Sequence, residues 1–149
     1  MCSSEDGQAL IETAICLPVL FLLLAGVVDI GRLSQAQLVT ASGAYAGALY
    51  GSQSSVTAQD IAGMQAAVLL DDPAATATAF SYYRCADGSA PATTYSGQSM
   101  AQERIIQNGC APTHQLLYVV VTATAPFTPI LLTFLKQTLT ATAVLQVPT

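Results

Sequence analysis

The sequence predicts an α+β protein: one long N-terminal helix that crosses a membrane, followed by a small head built on an antiparallel sheet. Three observations predict it. An uncharged apolar run starts close to the N-terminus, helical spacing continues beyond that run, and the last third of the chain alternates in the manner of strands. The chain has 149 residues, 52 % of them hydrophobic and only 9 % charged, against the roughly 25 % charged usual for soluble domains. That balance excludes intrinsic disorder, which needs low hydrophobicity and high net charge. Four basic residues against nine acidic ones, a net charge of −5, also exclude a nucleic-acid binder.

No residue from Thr13 to Val28 is charged, and Leu17, Val19, Leu20, Phe21, Leu22, Leu23 and Leu24 fall in this stretch. Counted from Ala9 to Ile30 the run reaches about 33 Å at ~1.5 Å per residue, enough for a bilayer core. Glu12 and Asp29 bracket it. A cleaved secretory signal would begin with basic residues and end at a small-residue site. Here Met1 to Gly7 holds two acids and no Lys or Arg, and Val27-Val28-Asp29 is a poor cleavage site. A soluble core helix would keep a polar face, which Leu17 to Leu24 lacks. The segment therefore reads as a membrane anchor, with Leu17, Pro18, Leu20 and Leu24 as packing positions and the bilayer as a partner. Pro18 removes one amide donor and is expected to kink the helix or loosen a turn.

Helical spacing continues from Arg32 to Tyr50 through Leu38, Ala41, Tyr45, Ala48 and Leu49. Gly43, Gly47 and Gly51 form a small-residue stripe that lets another backbone approach closely. Its partner is either the protein's own sheet or a neighbouring subunit. Glu12 lies at the mouth of the apolar run, where it either marks the helix start among the headgroups or has a partner.

The ordered set Gly7-Gln8-Ala9-Leu10-Ile11-Glu12, an apolar run opening with Leu17-Pro18, and a close at Asp29-Ile30-Gly31-Arg32 resembles the TadE-like minor pilins, or pseudopilins, of the tight-adherence (Flp) type IV-like pilus system. Ala41-Ser42-Gly43-Ala44-Tyr45-Ala46 is similar to the family's continuation, and Leu139 to Leu145 to its closing strand. The resemblance implies a leader at residues 1–7, a transmembrane and extended helix at 8–50 and an extracytoplasmic head at 51–149. It implies cleavage by a prepilin peptidase between Gly7 and Gln8, with Gln8 as the new amino terminus. Glu12 then becomes an assembly residue whose carboxylate pairs with the terminal ammonium of a neighbouring pilin. Removing one partner of such a buried pair costs ~3–5 kcal/mol, which makes the pair a register device. The implied partners are other pilin subunits through the N-terminal helix and an inner-membrane assembly platform. The implied location is the bacterial inner membrane, single pass with the head outside. The acidic leader departs from the basic leaders of the family, and charge bias alone would place the head inside the cell.

In the head, Thr57-Ala58-Gln59-Asp60 reads as a cap opening a second helix to about Leu70, ended by Asp71-Asp72-Pro73. Residues 75–85 suit a strand, 87–91 a loop and Ser99 to Asn108 a short helix. Gln115 to Ala125 reads as the central strand, broken by Pro126 and Pro129. Ile130 to Gln137 reads as an amphipathic helix, and Leu139 to Val147 as a half-buried last strand. Cys85 and Cys110 flank a loop-rich stretch and could form a disulfide worth roughly 3.5 kcal/mol on a chain-entropy basis. Such a bond would place the head outside the cytoplasm. Cys16 reads as an apolar filler and Cys2 as part of the leader.

Catalytic chemistry is not legible. His114 is the single imidazole, and it and the four cysteines lack zinc-site spacing. No phosphate loop, nucleophile elbow or paired-carboxylate motif occurs. Asp71 and Asp72 read as a turn rather than a calcium site, and no cofactor or metal is expected. A non-enzymatic subunit is the first reading. The alternatives are a permanent single-pass protein with an interaction domain, or a tethered module that binds a small ligand or glycan in an aromatic pocket around Tyr82, Tyr83 or Tyr95.

Overall fold

Leu, Ala and other helix formers not branched at Cβ are abundant in the first third of the chain, and no proline after Pro18 interrupts it until Pro73. In the computed structural model, which describes residues 4–85, 115–130 and 136–148, this segment is a continuous helix α1 (Ser4–Gly51) of 48 residues. At ~1.5 Å per residue it is about 72 Å long, more than twice the thickness of a bilayer core. It runs through Pro18 without a break in helical assignment. It ends at Gly51, where the Ser52 amide still donates to the Ala48 carbonyl at 2.9 Å.

The second helix begins later than the sequence suggests. Thr57 is held by Ser54: the Ser54 amide donates to Thr57 Oγ1 at 2.9 Å and the Thr57 amide to Ser54 Oγ at 3.1 Å. This local exchange favours a short 3-10 turn at Thr57–Gln59. Asp60 then caps α2 (Ile61–Asp71), its Oδ1 accepting the Gly63 amide at 2.9 Å. Asp72 closes the helix, its amide donating to the Val68 carbonyl at 2.9 Å.

Three antiparallel strands follow: β1 (Thr76–Cys85), β2 (Gln115–Phe127) and β3 (Gln137–Val147), in spatial order β1-β2-β3. In this register Phe80, Val120 and Val144 share one row, and Tyr82, Tyr118 and Gln146 another. The inner face of the sheet supplies Leu117, Val119, Val121, Ala123 and Val147 to the core. There they meet Ala44 and Ala48 of α1 and Met64 and Val68 of α2. The described part of the head is thus two layers, α1 and α2 against one face of the sheet.

Two expectations need correction. Pro126 does not end the central strand, because β2 continues to Phe127 with Pro126 opposite Thr138. β1 begins opposite Thr124, so at Pro126 the strand has a neighbour on one side alone, where a proline is tolerated. The amphipathic helix expected from Ile130 to Gln137 cannot reach Gln137, which is the first residue of β3. The Thr/Ala alternation already sets in at Thr138, and pairing with β2 captures that end. The loop at 87–91, the helix at 99–108, Tyr95, Cys2, Cys110 and His114 lie outside the described residues, and so does the Cys85–Cys110 pairing.

Candidate assembly site: the uncovered helix and its joint with the head

The two halves of α1 have opposite environments. From Leu10 to Val28 almost every large side chain is exposed, including Leu17, Leu20 and Leu24, each about half accessible. Nothing among the described residues of the head covers them. Gln8 and Glu12 are exposed as well, on a shallow surface shared with Gly7, Ile11 and Ile15. Pro18 and the free thiol of Cys16 face outward on the same stretch. A Cβ built on Gly7 or Gly26 meets nothing within 4 Å. Leaving this much apolar surface in water is costly at about 25 cal/mol per Å².

The joint begins at Asp29. This carboxylate is only 5 % exposed, and its Oδ1 accepts the Ile130 amide at 2.9 Å. Arg32, one turn on, lies 3.6 Å from the same oxygen, with its guanidinium 6.0 Å from the Phe127 ring centre. Further along, buried Thr40 Oγ1 lies 3.0 Å from Asp72 Oδ2 and from the Ala36 carbonyl. Asp72 Oδ1 accepts the Ala74 amide at 3.2 Å. Ser42 donates to Asp71 at 2.9 Å, and Tyr50 Oη to Asp60 Oδ2 at 2.8 Å. The Gly63 amide, and after it the Tyr50 hydroxyl, hold the Asp60 carboxyl below the ordinary Asp range. Polar clamps thus fasten α1 to the head from Asp29 to Tyr50.

Between these clamps the glycine stripe faces the chain's own core. A Cβ at Gly43 would meet the Val68 carbonyl oxygen at 3.2 Å, and one at Gly47 would meet Val68 Cγ2 at 2.7 Å and the Met64 carbonyl at 2.8 Å. One at Gly51 would collide with Met64 Sδ and lie 2.8 Å from Val119. The close approach that the stripe permits is therefore to α2 and β2, the intramolecular alternative.

Residues 7–49 match the family model of the TadE-like proteins. The TadE-like segment takes in both halves of α1, the exposed run and the clamped run, and stops short of the sheet. No curated protein and no solved structure matches the chain. The match covers the apolar N-terminal helix, which is long enough for a single membrane pass.

The sequence did not single out Asp29 as a joint residue, nor Thr40 with Asp72. Asp29 was visible only as the polar end of an apolar run, because its partner, the Ile130 amide, lies 101 residues away. Asp71 and Asp72 are taken up by Ser42, Thr40 and the Ala74 amide, in keeping with a helix-ending turn. Tyr82 and Tyr83 are adjacent in β1 and so fall on opposite faces: Tyr83 is buried inside, while Tyr82 stacks on Tyr118 with ring centres 5.5 Å apart. They do not line one pocket together.

Proposed function

We propose that the chain is a minor pilin of the tight-adherence system, held in the inner membrane by the first half of α1 and carried with its head into an assembly of subunits. The observation that carries this reading is the division of one continuous helix at Asp29. Before that point its apolar surface is uncovered, and after it the helix is fixed to the head. A permanent anchor needs only a span, joined to its head by any linker. A subunit that leaves lipid to pack among others needs its exposed rod held rigidly to its head, so that the register of the rod sets the position of the head.

Among the described residues Glu12 has no cover, and in a bundle of such helices its carboxylate pairs with the amino terminus of a neighbouring copy. That terminus is Gln8, freed by prepilin peptidase. The Gly7–Gln8 bond lies within α1, so the helix must open there to present an extended backbone. Glycine lowers the cost of opening by about 1 kcal/mol relative to alanine. Packing among the described residues gives Gly7 no other reason to be glycine. Arg32, which by charge bias alone would favour a cytoplasmic head, lies 3.6 Å from Asp29 Oδ1 and 6.0 Å from the Phe127 ring centre, so it belongs to the joint with the head.

Intact-mass analysis of the protein from the assembled fraction tests the reading. A chain beginning at Gln8 is expected, and Gly7→Ala should block its appearance. Met1 retained in the assembled protein would favour the permanent-anchor reading.

A further inference from the structure

One end of the sheet lies at the level where the bare half of α1 stops. The uncharged run of α1 ends at Val28, and the next residue, Asp29, accepts the Ile130 amide at 2.9 Å. Ile130 lies just past the end of β2, and its side chain is 67 % exposed, as open as Leu23 within the run. β3 starts at Gln137, so the same end of the sheet carries Lys136, which is exposed and borders a hollow with Phe127 and Thr128. Arg32 reaches the Phe127 ring as well and keeps 44 % of its side chain accessible. Arg32 and Lys136 are two of the four basic residues in a chain of net charge −5. The carboxylates nearby are engaged, Asp29 by the Ile130 amide and Arg32, Asp72 by Thr40 and the Ala74 amide.

We propose that this end of the head, through Arg32, Ile130 and Lys136, rests on the surface of the bilayer. Ile130 meets the boundary of the acyl chains, and the two cations meet lipid phosphates. The contact depends on residues 10–28 spanning a bilayer, as proposed for the chain above. The hydrocarbon then ends within about one turn of Asp29, and the hydrogen bond from Ile130 holds that residue at the same depth. The occupant is thus the surface that α1 already crosses, continuous with the bare half of the helix. An exposed apolar side chain beside two cations suits this boundary, where apolar stems lie in the acyl layer and charged ends reach outward. The contact also fixes the tilt of the head over the membrane, which a single span leaves open.

The chain has no tryptophan, so a single one introduced by substitution is a unique reporter. The full chain is reconstituted in vesicles of phosphatidylcholine and phosphatidylglycerol that carry lipids brominated near the headgroup end of the acyl chain. Ile130→Trp should be quenched. Val56→Trp, also at an exposed apolar position, lies past the end of α1, about 33 Å beyond Asp29, and should not be quenched. Phe21→Trp checks the span with lipids brominated deep in the chain. Lys136→Glu, added to Ile130→Trp, should lower the ratio of docked to undocked heads by at least about fivefold, the worth of one basic residue at an anionic surface. Quenching at Phe21→Trp without quenching at Ile130→Trp would overturn the contact and leave the span standing. No quenching at Phe21→Trp would remove the span and the contact with it. Equal quenching at Val56→Trp, or no effect of Lys136→Glu, would also overturn the proposal.

Discussion

At Gly47 an added methyl group would press on the Met64 carbonyl oxygen, a backbone atom that cannot rotate away. Gly47→Ala should therefore destabilise the head by about 1–3 kcal/mol in urea unfolding, the usual cost of overpacking. Gly26→Ala, where nothing lies within 4 Å, should not. Asp29 offers a second case. Asp29→Ala removes the acceptor of the part-buried Ile130 amide, a loss of about 1 kcal/mol that the same unfolding experiment reads. Asp60 gives a dependence on pH. Its folded carboxyl titrates below the ordinary Asp value of 3.8, so its contribution is complete above that value and is lost as pH falls through the folded pKa. Stability measured below about pH 4 should fall less steeply in Asp60→Asn, which keeps an acceptor for Gly63 and Tyr50 but does not titrate. An unchanged slope would remove Asp60 from the acid response.

The elements differ in how far the sequence revealed them. The helix over residues 8–50 and the strands near 75–85, 115–125 and 139–147 were legible, because apolar runs and period-two alternation are local signals. What was illegible depended on distant partners. Pro126 reads as a breaker until β1 is seen to start opposite Thr124. Thr57 reads as a helix cap until Ser54 is seen to hold it. The exposed character of residues 10–28 could be read from composition, whereas the clamping of residues 29–50 could not, since Asp29, Thr40 and Ser42 acquire meaning only against Ile130, Asp72 and Asp71. The clamps predict a boundary within α1. Thr40→Val leaves Asp72 short of a donor and should raise amide exchange in the helix from about Thr40 onward, leaving residues 10–28 unaffected when exchange is compared in the same micelles.

At the scale of the molecule, a rod about 72 Å long carries the head along its second half and, among the described residues, has its first half bare. A bare apolar rod suits lipid, and it equally suits the flank of another such rod, because neither exchange exposes apolar surface to water. Under the proposed function, that equivalence would let a subunit move from bilayer to assembly at little cost, with Glu12 selecting the neighbour whose amino terminus it meets. Glu12→Ala should therefore insert at least as well as the unaltered chain and enter the assembly less, measured as the ratio of assembled to membrane-held protein. The most direct measurement places a photocrosslinking residue at Leu20 in living cells. The account predicts adducts with lipid while the subunit waits in the membrane, and adducts with helices of other subunits once pili are built. Adducts with lipid alone, whether or not pili are present, would contradict it.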